Sequence, residues 1–158
     1  MMPERKYHRL PLETYSSTDC KFFFTICTHN KETLFTNHNL CTAVIDSLLW
    51  YHNRHTWNLY CYCLMPDHLH MIVSLPKAEK TNTDTKSILN WIAHFKTYTT
   101  LCWRNSGGNG PLWQKSSFDS VIDSLDAVDD LVRYVLNNPV RKGLVDNWEN
   151  YPYCGTFL

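Results

Sequence analysis

The sequence predicts an α+β sandwich, an antiparallel sheet with helices packed on one face, and three observations lead there. Apolar residues alternate at period two in two neighbouring segments joined by a tight turn, and they recur at helical spacing in three others. The segments run strand, helix, strand, strand, helix, strand, helix. That order contains a hairpin and does not alternate strand with helix throughout, as a parallel sheet would. At 158 residues the chain matches one domain, residues 1–158, able to bury roughly two thirds of its unfolded surface in a single core.

Each element has its own signal. Residues 21–28 (KFFFTICT) are β-branched, aromatic and apolar, which predicts a strand. Residues 40–52 place Leu40, Val44, Leu48 and Tyr51 one turn apart, which predicts a helix. Residues 58–64 and 68–75 alternate like strands, with Pro66 and Asp67 as the turn between them. Residues 87–103 carry Ile88, Ile92, Phe95, Thr99 and Cys102 on one face, with Lys96 turned away from it. A short strand at 117–123 precedes a last helix at 127–137, whose stripe is Val128, Leu131, Val132, Val135 and Leu136. The polar stretch 76–85 and the glycine-bearing stretch 106–111 read as surface loops inside the domain.

Composition narrows the function classes. A hydrophobic fraction of 44%, with 14% aromatic, belongs to a globular chain. No apolar run approaches the ~18 residues that span a bilayer, and residues 1–9 are polar and basic, so a cytoplasmic protein with no membrane partner is expected. Seven cysteines, an odd number scattered through apolar stretches (Cys27, Cys61, Cys63, Cys102), read as reduced thiols packed as small hydrophobes. No glycine-rich phosphate loop of a nucleotide hydrolase is present. Fifteen basic and fifteen acidic residues cancel, so overall charge offers nothing to a nucleic acid. Local clusters offer more: Arg5, Lys6, His8 and Arg9 share the N-terminal arm, and Arg133, Arg141 and Lys142 crowd the end of the last helix.

His68-Leu69-His70 is the candidate chemical centre. Residues two apart on a strand point to one side, so both imidazoles project together while Leu69, Met71 and Val73 face the core. The pair fits a metal chelate. It also fits two ordinary histidines, or a zinc site completed by Cys61 and Cys63, which share the histidines' face if the turn holds two residues.

Tyr134 stands off the apolar stripe of its helix, roughly 130° from the stripe's centre at 100° per residue. Asn138, four residues on, shares its side. Pro139 disfavours α geometry at Asn138 and is expected to leave the amide at an exposed helix terminus. An off-stripe phenol one turn from an amide is available for chemistry; packing of Tyr134 and capping by Asn138 is the plainer alternative.

Three stretches together resemble the REP-associated tyrosine transposases, within the single-tyrosine HUH transposase superfamily. They are LMPDHLHMIV at 64–73, Trp113-Gln114 with Phe118-Asp119, and YVLNNPVRKGLV at 134–145, with FFFTICTHNKETLF near the start resembling the family's first strand and loop. The resemblance implies a ferredoxin-like α/β sandwich of HUH-endonuclease type. It implies His68, His70 and Asn138 as metal ligands and Tyr134 as the nucleophile. It also implies a substrate of single-stranded DNA with a hairpin, a REP-like repeat, joined to the enzyme through a 5′-phosphotyrosine. Asp123 and Ser124 depart from the basic residue that related sequences commonly carry after this strand, which bears on DNA binding more than on chemistry.

Two neutral imidazoles and a neutral amide leave a divalent ion's charge uncancelled, which suits Mg2+ or Mn2+ acting on phosphate oxygens. Arg5, Lys6 and Arg9 are candidates for gripping DNA beside the hairpin, and the protein is expected to be a monomer or a homodimer. Two readings compete with this enzyme: a catalytically silent DNA-hairpin-binding protein and a zinc-binding structural protein.

Overall fold

The computed structural model describes residues 9–77 and 86–158. In chain order it contains β1 (Lys21–Cys27), α1 (His38–Asn53), β2 (Asn58–Met65), β3 (His68–Ser74), α2 (Ile88–Asn105), β4 (Phe118–Ile122), α3 (Leu125–Leu136), α4 (Asn138–Arg141) and β5 (Cys154–Thr156). The strands form one five-stranded sheet in the order β4-β1-β3-β2-β5, antiparallel at every pairing. The run from β1 to β4 is the ferredoxin-like βαββαβ arrangement, with β5 added outside β2, so the expected fold class is the one observed.

Alternation along the strands makes two cores. Phe22, Phe24 and Ile26 of β1 and Leu69, Met71 and Val73 of β3 face α1 and α2, where Val44, Leu48, Ile92 and Phe95 close over them. The opposite face carries Cys61, Cys63, Met65 and Ile72, and α3 covers it with Val128, Val132, Val135 and Leu136. Helices therefore lie on both faces rather than one. The expectation of a single helical layer holds for α1 and α2 and fails for α3, because β2 and β3 are apolar on both sides and a bare face of that kind would stay wet.

A β-bulge in β2 contributes to this arrangement. Register shifts between Leu59 and Cys61, so Tyr60 and Cys61 both lie toward the α3 side, and the following residues alternate in the new phase. The turn at Pro66 and Asp67 has two residues, which sets Met65 opposite His68 and Cys63 opposite His70. α2 stops in a Schellman motif. Gly107, at φ 98°, and Gly108 return their N–H groups to the carbonyls of Arg104 and Trp103 at 3.1 and 2.9 Å.

All seven cysteines are free thiols, and Cys27, Cys41, Cys61 and Cys63 are buried among apolar side chains. No helix among the described residues is long and apolar enough to cross a membrane.

Candidate active site

β3 enters the sheet with His68 and His70 on the α3 side and Leu69 in the opposite core. Their rings lie 4.5 Å apart, centre to centre. Each ring has its Nδ1 engaged. Asp67 Oδ1 lies 2.6 Å from Nδ1 of His68, and the hydroxyl of Thr25, the β1 partner of His70, lies 2.8 Å from Nδ1 of His70. A proton on Nδ1 of each ring satisfies both partners and leaves both Nε2 lone pairs for a further ligand, as is usual where histidines bind metals. Burial pushes His70 down to about 3, with His68 and Arg141 adding to the effect and Asp67 opposing it. His70 is thus neutral near physiological pH, the form a metal requires.

α3 begins at Ser124, whose hydroxyl accepts from the N–H of Ala127, and its apolar stripe seats it over β2 and β3. This placement swings Tyr134 over the histidines' edge. Its ring lies 6.0 Å from that of His70 and meets Phe23 edge-on at 6.5 Å, while Phe23 stacks on His70 at 5.3 Å. Tyr134 remains 44% exposed, and the guanidinium carbon of Arg141 sits 4.1 Å over its ring. The phenol is held but still reachable.

Asn138 departs from the exposed terminus that the sequence suggests. α3 ends one residue earlier, at Leu136, and Asn138 opens α4 with Pro139 in the first turn, where a missing N–H costs nothing. The bend at Asn137 turns Asn138 inward to 4% exposure, with Nδ2 at 3.0 Å from Nε2 of His68. Rotating the amide by half a turn presents Oδ1 at that position instead. Two neighbouring ligands of a six-coordinate ion at ~2.1 Å are themselves ~3.0 Å apart, so the spacing fits a divalent cation held by two imidazoles and one amide oxygen, with water and phosphate oxygens to complete its shell.

The zinc arrangement does not assemble. Cys63 pairs with His70 across the sheet, yet its side chain engages Cys154, and Cys61 lies opposite Ile72. Among the described residues no group of three or more His, Cys, Asp or Glu side chains is placed to hold a metal. Of the candidate DNA-gripping residues, Arg9 is exposed, whereas Arg5 and Lys6 lie outside the described residues. Sequence reading missed Thr25 and Phe23, whose relation to His70 depends on the β1–β3 register. It also gave Asp67 only a turn role, although adjacency to His68 was a visible signal, and treated Arg141 only as charge.

A family model described as "Transposase IS200 like" matches residues 16–138, which include the histidine pair, Tyr134 and Asn138. The chain belongs to this transposase family. Over 106 residues the IS200-like chain is 31% identical to the "Putative REP-associated tyrosine transposase" of Haemophilus influenzae, a match that takes in 58% of this chain and 54% of that one. It therefore spans about half the length of that curated relative. Its fold superposes on a REP-associated tyrosine transposase solved bound to a REP hairpin with a TM-score of 0.67, at 21% identity, covering 94% of this chain and 81% of the other. The family resemblance carried by the sequence motifs is borne out.

Proposed function

We propose that this IS200-like transposase is a divalent-metal-dependent transesterase that cleaves and rejoins hairpin-bearing single-stranded DNA of REP-like type through a covalent 5′-phosphotyrosine at Tyr134. One observation carries the reading: Tyr134, His68, His70 and Asn138, drawn from two distant stretches, surround one end of β3. The hairpin substrate is suggested by the solved relative of the same fold, which holds a REP hairpin.

His68, His70 and Asn138 would hold Mg2+ or Mn2+, which when bound would polarise the scissile phosphate; nickel or zinc would bind the imidazoles more tightly in vitro. Asp67 and Thr25 orient the two rings. Tyr134 attacks phosphorus through its phenolic oxygen: the Oη–P bond forms, the P–O3′ bond breaks, and the phenol proton is balanced by the one the released 3′ oxygen takes up. Arg141, against the phenol's face, offsets negative charge as it develops. One phosphodiester replaces another, so attack by a 3′-hydroxyl on the Tyr134 adduct rejoins DNA without ATP. All four side chains converge within one chain, which favours a site completed in cis.

A labelled single-stranded hairpin incubated with Mg2+ and resolved on a denaturing gel tests the proposal. The parent protein is expected to carry label only from the DNA segment on the 5′-phosphate side of the break, and Tyr134→Phe to carry none while still shifting the DNA in a native gel. Adducts from both proteins would remove Tyr134 as the nucleophile, and adducts from neither, across a panel of hairpins that both bind, would leave the silent hairpin-binding reading.

A further inference from the structure

A groove of about 370 Å3 runs between α2 and residues 111–115, on the side of the fold away from α3. Lys96, Arg104 and Lys115 line it together with Thr97, Thr100, Leu101, Pro111 and Gln114, and none of the lining residues is acidic. In a chain whose fifteen cations and fifteen carboxylates cancel, three cations facing one concavity without a carboxylate is a local departure. None of the three forms an ion pair among the described residues.

Two of the cations are fixed by the backbone. Nζ of Lys96 donates to the carbonyls of Gln114 and Lys115 at 2.9 and 3.4 Å, and Nε of Arg104 donates to the carbonyl of Gly110 at 3.4 Å. Burial pushes the Lys96 ammonium down to about 8, a penalty that a neighbouring anion would offset. Carbonyl anchoring accounts for Lys96 alone; it leaves Lys115 exposed and most of the Arg104 guanidinium unspent.

The groove also connects with the candidate active site. The N–H of Gln114 donates to the carbonyl of Cys27 at 2.9 Å, and Cys27 pairs with His68. Thr28 bridges to Trp113, and its N–H donates to the carbonyl of Asp67 at 2.9 Å. The wall of the groove is thus hydrogen-bonded to the strand end and turn that present His68. Leu101 and Pro111 add apolar surface to the same groove.

We infer that this groove takes the phosphodiester backbone of a single-stranded segment flanking the scissile bond, with Arg104, Lys115 and Lys96 neutralising successive phosphates. The inference rests on the DNA reading proposed above and extends the substrate contact to a face which that reading does not use.

The test uses the full chain carrying Tyr134→Phe, so that DNA is not consumed, with and without Arg104→Glu plus Lys115→Glu. Both positions are exposed, and an unchanged melting temperature checks the fold. Fluorescence anisotropy against salt is read for a hairpin with a single-stranded extension and for the same hairpin blunt-ended. The double variant is expected to bind the extended probe about tenfold more weakly, with a salt slope lower by about 1.4, ~0.7 for each lost single-strand phosphate contact. Its binding to the blunt hairpin is expected to stay within about twofold of the parent's. Equal binding of the extended probe by both proteins, or an equal loss on both probes, would overturn the groove while leaving the DNA reading intact. Failure of the unreversed protein to bind either probe would overturn both.

Discussion

Nδ2 of Asn138 lies 3.0 Å from Nε2 of His68 although 70 residues separate them, so the first residue of α4 closes on the first residue of β3. If this pair shares an ion, Asn138→Ala should weaken Mn2+ binding by about 10- to 100-fold in calorimetry and slow DNA cleavage in step. Asn138→Asp should bind the ion more tightly yet cleave more slowly, because the added charge cancels part of the ion's field. Unaltered metal affinity in Asn138→Ala would remove the amide from the ligand set.

Thr25 and Asp67 each engage a histidine ring at Nδ1, away from the Nε2 atoms that a metal would use. Thr25→Val leaves Nδ1 of His70 without a partner at 7% exposure and should cost ~1–3 kcal/mol of stability, read by urea denaturation, together with a loss of metal affinity. Asp67→Ala should lower metal affinity with a smaller effect on stability, since His68 is less deeply buried and water can replace the carboxylate. Equal stability losses in both variants would contradict this division.

Arg141 lies close over Tyr134, and its removal should affect the chemical step more than DNA binding. Single-turnover cleavage by Arg141→Ala is expected to slow by about twofold to thirtyfold, the kinetic equivalent of ~0.5–2 kcal/mol, with Arg141→Lys in between. A loss confined to DNA affinity, with the rate at saturating DNA unchanged, would assign Arg141 to binding alone.

Tyr15 fastens the segment before β1 to the sheet. It is fully buried, stacks on Phe22, and donates to Asp119 Oδ2 at 2.6 Å. Tyr15→Phe should cost ~1.5–3 kcal/mol in denaturant unfolding, as for other bonds to charged groups. Burial and the Asp119 carboxylate raise this phenol from 10.0 to about 12, so the folded chain retains the proton that the unfolded chain gives up first. Its contribution is therefore full below pH 10 and lost as pH rises toward 12, and Tyr15→Phe should show a smaller alkaline loss of stability.

The candidate site was legible where the signal is local. Two histidines two apart on an apolar strand, and a tyrosine off the stripe of its own helix, can be read with no knowledge of what packs where. What stayed hidden depends on long-range register. β5 is only three residues beside a proline-containing turn, so it has no period to detect, and it forms by adding to the edge of β2. The placement of α3 on the second face follows from apolar residues on both sides of β2 and β3, and the bulge that puts Tyr60 and Cys61 on one side is set by long-range pairing. The burial of Asn138 was misjudged because Pro139 starts a new helical turn here instead of releasing the chain to solvent. Lys96 does point away from the core stripe of α2, but it folds back onto two carbonyls rather than extending into water.

The most direct test of the central claim is to locate the DNA on the protein. The chain is incubated with single-stranded hairpin DNA and Mg2+, trimmed with nuclease and protease, and the modified peptide is sequenced by mass spectrometry. The phosphonucleotide remnant is expected on Tyr134, formed only with metal and absent from His68→Ala. A remnant on any other residue, or the same yield on Tyr134 in the presence of a chelator, would contradict it.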